Sequence, residues 1–92
     1  MRASDWERLR AVFVQVFDEP ELGVGARAVS ATTSARDVDA WDSVTHVVLL
    51  VAIEREFGLR FAAGEMADLT DVGELVARIE RRLDAAERAS GA

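Results

Sequence analysis

The stretch "DAWDSVTHVVLL", Asp39 to Leu50, decides the fold. It sets a polar pair, Asp42-Ser43, just behind Trp41 and at the mouth of a long apolar run. Two readings of that run compete. "VTHVVLLVAI" is rich in β-branched residues, which are indifferent helix formers and pack well in strands. Its spacing, however, is helical: at about 100° per residue His46, Leu49, Leu50, Ile53 and Phe57 gather on one face. The run closes on "EREFG", and Gly58 suits the left-handed conformation that caps a helix. The spacing therefore predicts a helix from Ser43 to about Phe57, with Asp42 and Ser43 at the end where short polar side chains satisfy free N–H groups. The same arithmetic puts Val44, Val47, Val48 and Val51 on the opposite face, beside Glu54 and Arg55, where a surface helix is normally polar.

Upstream, "SDWERLRAVFVQVFDE" opens with Ser4 and Glu7 three residues apart, the form of a capping box. Leu9, Val12, Phe13, Val16 and Phe17 recur at helical spacing with Trp6 leading in, and Pro20 is the stop signal. From Glu19 to Trp41 the chain is rich in Gly, Ser, Thr and Ala and has no sustained period. A connection this long in a small domain has to be pinned down. Leu22, Val29, Val38 and Trp41 are the apolar residues able to do it, and a short helical turn fits within it. Downstream, "LRFAAGEMADL" reads as a connection with one short helical turn near Glu65 to Leu69. "LTDVGELVARIERRL" then reads as a last helix, with Thr70 or Asp71 as N-cap and a stripe of Val72, Leu75, Val76, Ile79 and Leu83. The expectation is an all-α fold: a small irregular four-helix bundle with three main helices, one short helix and a long first loop. It forms a single domain, 1–92, with a folded core over about 4–84 and a frayed tail, 85–92.

Composition bounds the function. At 92 residues, half of them hydrophobic, the chain suits one core and buries roughly two thirds of its unfolded surface. It has no cysteine, so neither a disulfide framework nor a zinc-thiolate site is available, and a reducing, cytoplasmic setting is the default. There is no apolar stretch of about 18 residues, and "MRASDWERLR" alternates charge where a signal peptide needs an apolar segment. The expectation is a soluble chain that engages no membrane. A formal net charge of −6 argues against nucleic acid, because phosphate binding depends on clustered cations. All 11 basic residues are Arg, a bias of composition and not of chemistry.

The residues for catalysis are scarce. With one His, no Cys and no Tyr, a Ser43–His46 dyad would be the only nucleophile and base pair, and a bundle this small offers little room for a substrate pocket or oxyanion hole. No paired His or Asp-rich loop stands at metal-ligand spacing. The expectation is therefore no enzyme and no metal site.

"DAWDSVTHVVLLVAIEREFGLRF" resembles the Asp-Ser-Leu segment and following helix of the acyl carrier protein family. Asp42, Ser43 and Val44 stand in the motif positions, "AIEREFG" matches the usual ending of that helix, and "LTDVGELVARI" is similar to the family's last helix. The likeness spans roughly Trp6 to Leu83. It implies that a phosphopantetheinyl transferase moves 4′-phosphopantetheine from coenzyme A onto Ser43 Oγ, giving an arm whose thiol holds acyl groups as thioesters. It also implies that Asp42 assists metal binding in the transferase complex. In the family the second helix docks the acyl-transferring and acyl-modifying enzymes, so Val44, Val47, Val48, Val51 and Arg55 become the candidate partner surface. Thr45 and Val48 stand where fatty-acid carriers usually have acidic residues and Arg55 interrupts an acidic run, departures that suggest polyketide or related specialised metabolism instead of a housekeeping fatty-acid carrier. The nearest alternative within the class is a peptidyl carrier holding an aminoacyl group, which shares the bundle but usually shows a Gly-Gly-rich approach to its serine, absent from "DAWDS".

Each of these residues keeps a second, structural reading. Asp42-Ser43 can be an N-cap pair only, and the valines can be core around which the loop and last helix wrap. An unmodified helical adaptor using the Val44/Val48 face is the rival from another class. Trp41 reads as a plug of the long loop or a partner contact. His46 reads as a partly buried, hydrogen-bonded imidazole or a contact to the phosphate one turn from Ser43. Leu50, Ile53, Phe57, Leu69, Val76 and Ile79 are the candidates to shelter an acyl chain, and each is first a core residue. A monomer is the default.

Overall fold

The structure, a computed structural model, describes residues 2–62 and 64–91. Three helices form: α1 (Ala3–Phe17), α2 (Ser43–Phe57) and α3 (Val72–Gly91). A single 3-10 turn, Pro20–Leu22, is the short helical element, and no strand occurs among the described residues. The β-branched run is thus helical. Its periodic burial of Leu49, Ile53 and Phe57 against α1 outweighs the small helix cost of its valines.

The α1 stripe buries Leu9, Val12, Phe13 and Phe17, with Trp6 and Val16 partly buried at its edge. The expected Ser4–Glu7 capping box does not form. The helix begins two residues earlier, with Arg2 as an N-cap without a side-chain bond, and Ser4 lies inside the first turn. The Asp5 and Trp6 N–H groups both donate to the Arg2 carbonyl at 3.1 Å, so the first turn closes on backbone without a side-chain cap. At the other end Asp18 adopts a left-handed conformation, φ 54°, before Pro20 opens the 3-10 turn.

The long first loop is pinned as expected: Leu22, Val29 and Val38 are buried and Trp41 packs on the core. Trp41 meets Phe13 edge-on at 5.5 Å between centroids and lies 5.8 Å from Phe17, the arrangement that aromatic quadrupoles favour. Trp41 is therefore a plug between loop and bundle. The loop also serves α3, since the N–H groups of Val72 and Gly73 donate to the carbonyls of Thr33 and Ala31, both at 2.8 Å. Those groups would otherwise lack a partner at a helix start. A Cβ on Gly73 would lie 3.0 Å from the Ala31 carbonyl, so only glycine permits this approach without displacement.

The second connection makes hydrogen-bonded turns over residues 64–68 and not the short helix expected near Glu65 to Leu69. Its backbone is diverted to side chains. Glu65 Oε2 accepts from the Ala62 N–H at 2.8 Å, Glu54 Oε2 accepts from Phe61 N–H at 2.8 Å, and Arg78 donates to the Glu65 carbonyl and to Asp68. Asp71, not Thr70, caps α3, its Oδ1 accepting from the Glu74 N–H at 3.0 Å. The helix continues to Gly91, past the core boundary expected near residue 84, and its residues 84–88 are exposed. The end of the expected frayed tail, Ala92, lies outside the described residues.

Candidate functional site

Asp42 is the N-cap of α2, with extended backbone, and Ser43 is the first helical residue. Asp42 Oδ1 accepts from the Thr45 N–H at 2.8 Å, and the Asp42 N–H donates to Thr45 Oγ1 at 3.0 Å. This reciprocal box satisfies two donors at once. The Thr45 hydroxyl has one proton to share between the Ala40 carbonyl at 2.5 Å and Asp42 Oδ1 at 2.6 Å. The Thr45 side chain and then its backbone N–H hold the Asp42 carboxyl below the usual aspartate range, so it is a carboxylate at neutral pH. Thr45 entered the sequence reading only as a missing acidic residue. Its spacing of three from Asp42 was the signal that it completes a cap.

Ser43 is exposed and Trp41 and His46 are partly buried. Ser43 opens on a cleft of about 410 Å³ whose walls include Trp41, His46, Leu69, Thr70 and Asp71. The starts of α2 and α3 therefore meet at one cleft, with the Val72, Gly73 and Glu74 N–H groups of α3 already bonded to Thr33, Ala31 and Asp71. The N–H groups of Thr45 and His46 are already taken by the Asp42 carboxylate and carbonyl, so the anion preference of α2 is partly satisfied by the chain itself. Nothing seals the Ser43 side chain, and the site fits an arm esterified there: an exposed hydroxyl with an open cleft beside it.

His46 is fixed by two partners. The Trp41 indole Nε1–H donates to Nδ1 at 3.1 Å, and Nε2 lies 3.0 Å from the Met66 carbonyl. An indole N–H only donates and a carbonyl only accepts, so in this arrangement Nδ1 is the accepting and Nε2 the donating nitrogen of His46. It cannot act as the base for Ser43, because its bare nitrogen is occupied by Trp41. The imidazole is the partly buried, hydrogen-bonded group of the structural reading.

The four valines are not core: Val44, Val47, Val48 and Val51 are 72%, 59%, 50% and 42% exposed. Val47, Val48 and Val51 border a groove of about 470 Å³ between α1 and α2 that also touches Gln15, Arg55 and Glu56. Of the six shelter candidates, Ile53, Phe57, Val76 and Ile79 are buried core. Leu69 borders the Ser43 cleft, and Leu50 lines a separate cleft of about 300 Å³ with Phe61 and Met66. No cluster of acidic, His or Cys side chains able to hold a metal occurs among the described residues, and no helix there is long and apolar enough to cross a membrane.

The family model described as "Phosphopantetheine attachment site" matches residues 7–79. Among solved structures, the chain is similar to the solution NMR structure of a holo acyl carrier protein from Geobacter metallireducens, with 34% identity, a TM-score of 0.75 and 90% of each chain covered. No curated protein matches the chain. The helical order, the exposed motif serine and a family match that runs from α1 into α3 converge: the chain belongs to the acyl carrier protein family, a non-enzymatic carrier whose cofactor is covalently attached 4′-phosphopantetheine.

Proposed function

We propose that Ser43 is the attachment residue and that the chain tethers acyl intermediates for polyketide or related specialised metabolism. The observation that carries the first part is the exposure of Ser43 at the first position of α2, within the Asp-Ser-Val motif and beside an open cleft. The attached arm supplies the thiol on which acyl groups ride as thioesters. The chain's own residues present and orient it. Asp42 and Thr45 fix the first turn, so the Ser43 hydroxyl projects from a rigid element at a loop junction that another active site can reach. Asp42, a carboxylate at neutral pH, is available to assist metal binding in the transferase complex.

Partner enzymes dock on Val44, Val47, Val48, Val51 and Arg55. An apolar face of this extent on a monomeric bundle marks a contact surface, and the absence of carboxylates between Ser43 and Arg55 other than Glu54 supports partners unlike the basic-patch enzymes served by acidic carriers. This is the basis for preferring specialised metabolism. Incubation with coenzyme A and a broad-specificity phosphopantetheinyl transferase, followed by intact-mass measurement, should add one prosthetic-group mass to the wild type and none to Ser43→Ala. A folded wild-type sample that gains no mass, or a Ser43→Ala variant that does, overturns the assignment.

A further inference from the structure

The valine stripe ends in positive charge. Val44, Val48, Val51 and Arg55 follow one another at steps of four, three and four residues, which on a helix makes one exposed line about three turns long. Val51 and Arg55 border both openings at its far end: the 470 Å³ groove whose opposite wall is Val12 and Gln15 of α1, and one of about 440 Å³ that includes Leu59 and Arg60. The carboxylates nearby are already engaged. Glu56 Oε1 accepts from Arg8 Nε at 2.9 Å, Arg8 also lies 3.5 Å from Asp5, and Glu54 Oε2 accepts from the Phe61 N–H. Arg55 and Arg60 are exposed, and their guanidinium groups have no hydrogen bond or ion pair among the described residues. Arg55 stands in the last turn of α2, where the helix dipole favours a cation. Arg60 lies beyond the cap Gly58, so the dipole does not account for it.

We propose that the α1–α2 groove seats one helix of a partner protein, apolar along one stripe and acidic in its first turn, lying antiparallel to α2. The inference rests on the reading of the valines as a docking face and names the partner's chemistry; it does not depend on the arm. A groove between two helices with apolar positions at helical spacing takes the apolar face of a third. Antiparallel placement brings the first turn of that helix to Arg55 and Arg60. Carboxylates there are favoured twice, by the dipole of their own helix and by the two uncommitted cations. On a chain of formal net charge −6, this polarity selects against a partner whose contact surface is basic. Gln15, exposed on the α1 wall, can donate or accept at the rim. A second copy laid the same way would carry its own Arg55 end over Ser43, so the occupant is a different protein.

The test titrates the unmodified ¹⁵N-labelled protein with two helix-stabilised synthetic peptides that share one apolar stripe. One carries Glu at two first-turn positions and its twin carries Lys there. The Glu peptide should shift the amides of Gln15, Val47, Val48 and Val51 and bind about fivefold more tightly than the Lys twin, the scale of two exposed ion pairs. The difference should shrink in high salt, and the double variant Arg55→Glu, Arg60→Glu should invert the preference. Equal affinity of the twins at this face overturns the acidic partner and leaves the valines a docking surface. Absence of shifts at the face with either peptide overturns both readings. A concentration-dependent dimer that shifts the same amides without peptide overturns the choice of occupant.

Discussion

The two loops of this carrier solve the same problem with different chemistry. The first, residues 18–42, is long and is nailed to the bundle by side chains that water rejects: Leu22, Val29 and Val38 vanish into the core and Trp41 closes over Phe13 and Phe17. The second, residues 58–71, buries Leu59 and Met66 but is shaped by directional links. Glu54, Arg78, Arg82 and His46 each reach a backbone group or a carboxylate in it. Apolar anchoring is non-directional and strong per residue, and it fixes where a loop lies. Hydrogen bonds and exposed ion pairs add little net stability yet decide the path of the backbone. Ser43, the proposed attachment residue, sits where the two meet, with the first loop leading into it and the second walling its cleft.

Breaking the apolar loop should have the largest effect. Leu22→Ala should cost about 2–5 kcal/mol, the usual range for a truncated buried leucine, read as a lower urea midpoint. A loss below that of a surface substitution would mean that the loop is not an integral part of the core. Next, Gly58→Ala tests the junction of α2 with the second loop. Its φ is 66° and a Cβ there would meet nothing, so the penalty is conformational alone, about 1 kcal/mol, in the thermal midpoint.

Smaller still is the effect of Glu65→Gln, which addresses the polar loop directly. Arg82 first, and the Ala62 N–H second, hold the Glu65 carboxyl below its ordinary value of 4.5. A depressed carboxyl stabilises the fold at pH values above its unfolded value, and that contribution fades as pH falls through the lower folded value. The stability gap between wild type and Glu65→Gln should therefore be present at neutral pH, close below pH about 4 and shrink in high salt. A gap that persists in acid would show that the carboxylate charge is not what ties the loop. Asp42→Asn should follow the same acid dependence at the start of α2, because its carboxyl too is held below its ordinary 3.8. The smallest effect on stability belongs to Val48→Gln, within about 0.5 kcal/mol as at other exposed sites, while loading by a partner enzyme should fall. Stability lost together with activity would return Val48 to the core.

The sequence made the apolar half of this comparison legible. The α2 boundaries, Gly58 as its cap, and the anchors Leu22, Val29, Val38 and Trp41 all follow from period and composition, since burial is a matter of which residues avoid water at which spacing. The Asp-Ser motif located the candidate site by resemblance. The polar half was not legible. That Arg2 and not Ser4 begins α1, that Glu65 starts turns and not a helix, and that Arg82 is its partner depend on which side chains happen to meet. Partners 17 and 20 residues apart, as for Arg82 with Glu65 and His46 with Met66, leave no local periodic trace.

By itself, then, the order of residues determined a small helical fold with a serine at the head of an amphipathic helix, because hydrophobic spacing and capping chemistry act over a few neighbours along the chain. Only the tertiary structure decided that the valines face solvent, that the starts of α2 and α3 share a cleft, and that His46 is strapped between two loops. Those properties depend on the relative placement of distant segments, and hydrogen-bond direction is defined only once donor and acceptor stand opposite each other in space.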